Sequence, residues 1–141
     1  MTPEQLGITK DQYENLSKLA DLLETVDRHS FDMKHYVVAA DNEYDTFAPY
    51  AAHNADCGTV ACAAGHLATI VKPLKDEGWI EFLDRVTGID GALDWYWLFD
   101  GNWVRTDNTA LGASKRIRYF LDNGAPSNVY AQMRGDAPLC Y

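Results

Sequence analysis

The chain has 141 residues, a net charge of −9 at neutral pH and an isoelectric point near 4.7. A chain of this length is expected to form one domain, residues 1–141, around one core. Its hydrophobic content of 47%, with 12% aromatic residues, excludes a disordered chain. Its acidity excludes bulk binding of duplex nucleic acid, because the phosphates would be repelled.

The sequence contains no apolar run near the roughly 18 residues that span a bilayer, so no membrane partner is expected. The first residues lack the basic and apolar segments of a secretory signal. These two observations predict a cytoplasmic protein.

The first predicted helix runs from about Lys10 to Val26, because apolar residues recur there at spacings of three and four. They are Tyr13, Leu16, Leu19, Ala20, Leu23 and Val26. One stripe of this helix should therefore face the core.

The next part of the chain is harder to assign. Residues 31–40 fit either a short helix from Asp32 or an extended segment through Val37 and Val38, and we favour the helix. Residues 41–56 show no clear period and are predicted to form a loop. That loop leads into the most unusual stretch of the sequence.

A helix of small residues is predicted from Thr59 to Val71, with Asp56 or Thr59 as its cap. Its small members are Ala61, Cys62, Ala63, Ala64, Gly65 and Ala68. A glycine inside a helix costs about 1 kcal/mol relative to alanine, and close packing is the simplest reason to tolerate that cost. We therefore expect this helix to lie at the centre of the domain.

Three further helices follow, over residues 76–87, 90–99 and 107–123, each ended by a turn that contains glycine. One more helical turn is expected around residues 129–133. The predicted fold is a mainly α, compact single-domain bundle of about five helices around the small-residue helix.

Metal binding is one possible function of the small-residue stretch. His53, Cys57, Cys62 and His66 give the pattern H-x3-C-x4-C-x3-H, in which the last two residues share one helical face. The pattern lacks the C-x2-C pair of small zinc sites, and alanines flank Cys62 as they would flank a core residue. We therefore predict no metal site and no cofactor. A disulfide between Cys57 and Cys62 would not persist in a reducing cytosol.

Cysteine-dependent hydrolysis is a second possibility, since Cys57 is predicted to lie at a helix N-terminus, where its thiolate would be stabilised. Asp56-Cys57-Gly58 resembles the D-C-G of several papain-like peptidases. No histidine follows His66, however, and only 56 residues precede the cysteine, so the resemblance ends outside the motif. His29, His35 and His53 remain possible bases, and the hydrolase stays an alternative.

Ligand binding is the function that we favour. Cys57, Gly58 and Thr59 are predicted to open a helix, where free N–H groups attract anions. Aromatic rings that could stack on a base are Trp95, Trp97 and Trp103, and cations that could pair with phosphates are Arg105, Lys115 and Arg118. Lys115, Arg116 and Arg118 are expected opposite the apolar stripe of their helix.

A family resemblance points in the same direction. Cys57-Gly-Thr-Val-Ala-Cys-Ala-Ala-Gly-His66 is similar to the C-G-T-x-x-C-x-A-G-[WH] motif of small uncharacterised proteins of phages and bacterial mobile elements. The resemblance covers about residues 31–122 and implies a host-cell setting in which some proteins sequester nucleotide messengers without cleaving them.

The sequence therefore predicts a non-enzymatic binding protein that sequesters a nucleotide or another small phosphorylated ligand, as an oligomer that shields it. Two alternatives stay open: an acidic inhibitor that binds a host defence protein, and the hydrolase that uses Cys57.

Overall fold

A computed structural model describes residues 1–32, 37–38, 48–53, 60–89, 92–99 and 108–141. These residues are mainly α-helical, as the sequence predicts. The helices are α1 (Pro3–Leu6), α2 (Lys10–Leu23), α3 (Pro49–His53), α4 (Ala63–Ile70), α5 (Trp79–Thr87), α6 (Ala92–Phe99), α7 (Ala110–Asn123) and α8 (Val129–Arg134). One turn of 3-10 helix, Arg28–Ser30, and two strands, β1 (Val37–Val38) and β2 (Val60–Ala61), complete the described elements.

The first two helices begin in the same way. The Thr2 hydroxyl accepts a hydrogen bond from the N–H of Gln5, and the Gln5 side chain accepts one from the N–H of Thr2. Thr9 and Gln12 repeat this reciprocal arrangement at the start of α2. Each pair satisfies two N–H groups that a helix start would otherwise leave without partners.

Helix α2 contacts three other helices, α4, α5 and α7. Its partner α7 begins beside Leu23 and ends beside Met1, so the two helices run antiparallel. Leu16 and Leu19 of α2 are fully buried. Among the described elements, the long periodic helix therefore packs extensively on three helices, and the small-residue helix packs extensively on two, α2 and α3.

The small-residue helix is shorter than predicted. It begins at Ala63, with Cys62 as its N-cap, and not at Thr59. The two preceding residues form β2, which pairs antiparallel with β1 in the register Val37 to Ala61 and Val38 to Val60. Hydrogen bonding between these strands holds the chain extended where the composition favoured a helix.

Helix α4 is nevertheless buried, as its composition predicts. Ala63, Ala64, Leu67 and Ala68 are fully enclosed, and Gly65 is buried with them. The helix packs between α2 and α3.

Two predictions upstream of α4 are wrong. Val37–Val38 is extended, so the helix that we favoured for residues 31–40 does not continue through it. Pro49–His53 is a helix inside the stretch predicted as a loop. Residues 33–36, 39–47 and 54–59 lie outside the described residues.

The later helices match the sequence more closely. Helix α5 ends at Thr87 with Gly88 in the left-handed conformation, α6 ends at Phe99, and α7 ends before Gly124. Helix α8 lies where one helical turn is expected. In the part of the chain that the structure describes, no helix is both long enough and apolar enough to cross a membrane.

Candidate functional site

The start of α4 does not offer an accessible anion site. Cys62, Ala63 and Ala64 are buried, so the first turn of this helix is covered by protein. Cys57, Gly58 and Thr59 lie outside the described residues, but they do not form the first turn of the helix, because β2 separates them from Ala63. The three residues were predicted as an anion site because they were expected to open this helix, and that expectation is wrong.

The cysteine at the start of α4 is not an activated nucleophile. Burial raises the pKa of the Cys62 thiol to about 11, and hydrogen bonding from the N–H groups of Gly65 and Ala64 only partly opposes this rise. The thiol is therefore protonated at neutral pH, and it packs in the core as its alanine neighbours predict.

The two histidines of the predicted metal pattern each contact a backbone carbonyl. His53 Nδ1 lies 2.7 Å from the oxygen of Ala68, and His66 Nε2 lies 3.0 Å from the oxygen of Ser30. Since a carbonyl only accepts, both ring nitrogens must donate. Burial lowers the pKa of His66, whose ring also stacks on Phe31 at 5.9 Å.

These contacts give the histidines roles in joining elements of the fold. His66 ties α4 to the 3-10 turn, and His53 ties α3 to α4. Within the described residues, no group of three or more His, Cys, Asp or Glu side chains is placed to hold a metal ion. Cys57 is not among those residues.

The two described tryptophans of the predicted site have different environments. Trp97 is fully buried, and its indole N–H donates to Gln132 Oε1 at 3.3 Å. Its ring also meets the edges of Tyr119 and Tyr141, at 5.8 and 6.1 Å between centroids. Trp97 cannot stack on a bound base without unfolding this region, so its predicted role is wrong. Trp103 and Arg105 lie outside the described residues.

Trp95 remains partly accessible on α6. It is half-buried and makes an edge-on contact with Tyr96, with 5.4 Å between the centroids. Tyr96 itself is 46% exposed. Among the described residues, no contact joins Trp95 to Lys115 or Arg118 of α7.

The three cations of α7 are not equivalent. Lys115 is exposed, but Arg116 is fully buried and donates to the Tyr141 hydroxyl at 3.1 Å. The expectation that Arg116 lies on the solvent side is therefore wrong. Arg118 is partly exposed and donates to Asp21 and Glu24 of α2, both at 2.8 Å. These bonds raise the pKa of Arg118.

A pocket of about 270 Å³ lies where α7 begins, and we call it the α7 pocket. Its walls come from the end of α2, the 3-10 turn and the first residues of α7. The lining residues are Leu23, Glu24, Val26, Arg28, Phe31, Asn108, Thr109, Ala110 and Leu111. This volume is close to the lower limit for small-molecule sites.

The electrostatics of the α7 pocket favour an anion in three ways. The fourteen-residue helix α7 begins at the pocket, so the positive end of its dipole lies beside it. Arg28 supplies an exposed guanidinium. Glu24, the one carboxylate among the described lining residues, already accepts a hydrogen bond from Arg118, which offsets its negative charge.

Two predicted residues lie on the side of α7 that faces this pocket. Leu111, Lys115 and Arg118 are spaced by four and three residues, so they share one face of the helix. Leu111 lines the pocket, and Lys115 is one turn further along. Neither Lys115 nor Arg118 lines the pocket itself, and their role in ligand binding stays a prediction.

Sequence reasoning missed Arg28 and the residues that cap α7. Arg28 is isolated in sequence between Asp27 and His29, and no motif singles it out. Thr109 could have been found, because a threonine three residues before Gly112 is a common cap, and its hydroxyl accepts from that N–H at 3.0 Å.

No protein-family model matches this chain, and no curated protein or solved structure is similar to it.

Proposed function

We propose that this chain is a non-enzymatic binding protein whose ligand is a small phosphorylated molecule, held in the α7 pocket. The observation that carries the proposal is the position of that pocket, at the start of a fourteen-residue helix and beside the guanidinium of Arg28. A phosphate there would accept from backbone N–H groups and from Arg28 at the same time.

The ligand that fits best is compact. Phe31, the one aromatic ring among the lining residues that the structure describes, is buried and stacked on His66, so it forms a wall rather than a free platform for a base. Lys115, one turn beyond Leu111, would contact a second phosphate or another acidic group. A nucleotide is the larger member of this class, and its base would have to extend towards solvent.

Binding without catalysis is supported by the states of Cys62, His53 and His66. The Cys62 thiol is protonated and enclosed, and the rings of His53 and His66 donate to carbonyls. Neither histidine contacts the α7 pocket.

The test is thermal unfolding of the purified protein with phosphate, pyrophosphate, linear nucleotides and cyclic nucleotides, at matched ionic strength. A ligand at a hundred times its dissociation constant should add about 2.7 kcal/mol to the free energy of unfolding. Arg28→Gln should weaken binding about tenfold or more, because a charge-assisted hydrogen bond is worth roughly 1.5–3 kcal/mol.

The matched control is Arg134→Gln, which removes an exposed guanidinium that pairs with Asp136 on α8. Affinity should be unchanged in this variant. The proposal fails if no phosphorylated compound raises the unfolding temperature, or if Arg28→Gln and Arg134→Gln bind equally well.

A further inference from the structure

The α7 pocket contains a carboxylate, although its other features suit an anion. Glu24 is the C-cap residue of α2, and it lines the pocket together with Arg28 and the first residues of α7. Two negative groups repel each other, so a carboxylate in an anion site weakens the binding of most anions. An anion that binds well beside Glu24 must therefore offer this carboxylate something other than charge.

The Glu24 side chain is held by two residues of α7. Arg118 donates to Oε1 from Nε at 2.8 Å, and the Nη2 atom of Arg118 lies 2.8 Å from the same oxygen. The Ser114 hydroxyl also donates to Oε1, at 3.4 Å. These contacts position the carboxylate before any ligand binds, so a ligand that contacts it loses little in ordering it.

The second oxygen of this carboxylate keeps its capacity to accept. Every hydrogen bond and ion pair that joins the Glu24 carboxylate to another described residue goes to Oε1 and not to Oε2. An ionised carboxylate accepts at up to about four positions and has no hydrogen to donate. A ligand that contacts Glu24 in the pocket therefore meets an acceptor that is still able to take a hydrogen bond.

Tetrahedral anions of similar size differ in whether they can donate to such an acceptor. Inorganic phosphate keeps at least one P–OH group at neutral pH, and a phosphate monoester loses its last one with a pKa of about 6. Sulfate and phosphate diesters have no O–H group at neutral pH. A hydrogen bond to a charged acceptor is among the stronger ones, whereas two acceptors brought together lose water and form no bond.

We propose that Glu24 determines the specificity of the α7 pocket, and that the ligand is inorganic phosphate or a phosphate monoester that keeps a P–OH group. This inference rests on the proposed function and narrows it. The P–OH group donates to Glu24, and the other phosphate oxygens accept from Arg28 and from the start of α7. Sulfate and phosphate diesters, which include cyclic nucleotides, bind weakly.

A monoester gains a further contact over inorganic phosphate. Val26 is half-buried and Leu111 is 50% exposed, and both line the pocket. They offer an apolar surface to the carbon atoms of an ester group. We therefore expect a small monoester such as glycerol phosphate to bind more tightly than inorganic phosphate when both carry a proton.

The dissociation constants of phosphate and sulfate, measured by calorimetric titration at neutral pH and matched ionic strength, test the role of Glu24. The wild-type chain should bind phosphate at least about tenfold more tightly than sulfate, because only phosphate makes the charge-assisted hydrogen bond. In Glu24→Gln the two constants should agree within about threefold, since an amide donates to sulfate as readily as it accepts from phosphate. The ratio is compared because removal of a negative charge strengthens the binding of both anions.

The matched control is Glu14→Gln. Glu14 is a glutamate of the same helix, outside the α7 pocket, and its side chain is 48% exposed against 45% for that of Glu24. This variant should keep the wild-type ratio of the two dissociation constants.

Two esters then test the requirement for a P–OH group. At about pH 6, where roughly half of a monoester carries its proton, glycerol phosphate should bind. Dimethyl phosphate, a diester of the same element and charge type, should bind at least about tenfold more weakly, because it has no P–OH group to donate.

Three results would overturn the selection by Glu24 while leaving an anion site that depends on Arg28. They are equal binding of phosphate and sulfate by the wild type, an unchanged ratio in Glu24→Gln, and equal binding of the two esters. If no phosphate, sulfate or ester binds at all, the proposed function itself fails, and the selection fails with it.

Discussion

The two sides of helix α7 have opposite ways of accommodating an arginine. On the side that faces α2, Arg118 lies at the surface and pairs with two carboxylates. On the other side, Arg116 is fully buried near Trp97 and Tyr141. The two residues are two positions apart, which on a helix directs them to different sides. Position on the helix, rather than residue type, decides which arginine contributes to the core.

This difference has an energetic meaning. An exposed ion pair is worth about 0–1 kcal/mol, because water screens it and the side chains lose freedom. Arg116, by contrast, fills a large buried volume and donates to the Tyr141 hydroxyl, so its removal would leave a cavity. We therefore expect the two arginines to differ several-fold in their contribution to stability.

Replacing Arg116 should have the largest effect. Arg116→Ala should lower the free energy of unfolding by roughly 3–5 kcal/mol, as for other large buried side chains that leave a cavity. It also leaves the Tyr141 hydroxyl without the guanidinium that donates to it. Urea unfolding measures the loss. Arg116→Met, which keeps most of the volume, should lose less, and equal losses would show that volume is not the cause.

Replacing Ser114 should have an intermediate effect. Its hydroxyl is buried on the α2 side and donates to the carbonyl of Ala20 at 2.8 Å. Ser114→Ala should cost about 1 kcal/mol, the usual net value of one hydrogen bond. The loss stays small because the Ala20 carbonyl also accepts from the N–H of Glu24. A loss above that of Arg116→Ala, measured by the same urea unfolding, would reverse the ranking of the two sides.

Replacing Arg118 should have a smaller effect on stability. Arg118→Gln should cost less than about 1 kcal/mol, and most of that cost should vanish in 1 M salt. The same change removes the cation that pairs with the Glu24 carboxylate in the α7 pocket. That carboxylate should then repel phosphate more strongly, so phosphate binding should weaken. Stability and affinity are read from thermal unfolding without and with ligand. A salt-independent loss of several kcal/mol would mean that this side is not solvated.

A pH series provides a comparison outside α7. Burial lowers the pKa of His66 below its ordinary value of 6.5, so the unfolded chain takes up a proton at a higher pH than the folded one. Its contribution to stability is therefore full above pH 6.5 and is lost as pH falls through 6.5 towards the folded pKa. In the variant His66→Gln, the free energy of unfolding, measured by urea at each pH, should depend less on pH below 6.5. An unchanged dependence would show that other groups cause it.

The sequence predicted those elements whose signals are local. The apolar period of α2 and the glycines after α5 and α7 fixed the existence and the ends of those helices. Helix α1 could also have been predicted, because Thr2, Pro3 and Gln5 form the start signal of a helix. Its four residues are too few to show a helical period of apolar residues.

The residue at which α4 begins could not be predicted, because it is determined by strand pairing with a segment that is distant in sequence. Val60–Ala61 is extended by pairing with Val37–Val38, more than twenty positions earlier. The same limit applies to the candidate site. The charges of Lys115 and Arg118 are visible in the sequence, but Arg28 reaches the α7 pocket through the packing of the end of α2 against α7.

The enclosure of Cys62 makes it a reporter of local opening. Of the cysteines that the structure describes, Cys140 is exposed and Cys62 is buried and protonated. A maleimide reagent will therefore modify Cys140 at once, but Cys62 only when the first turn of α4 leaves the core. The labelling rate at this one sulfur atom thus follows how often the protein exposes its interior, without any probe being added to the fold.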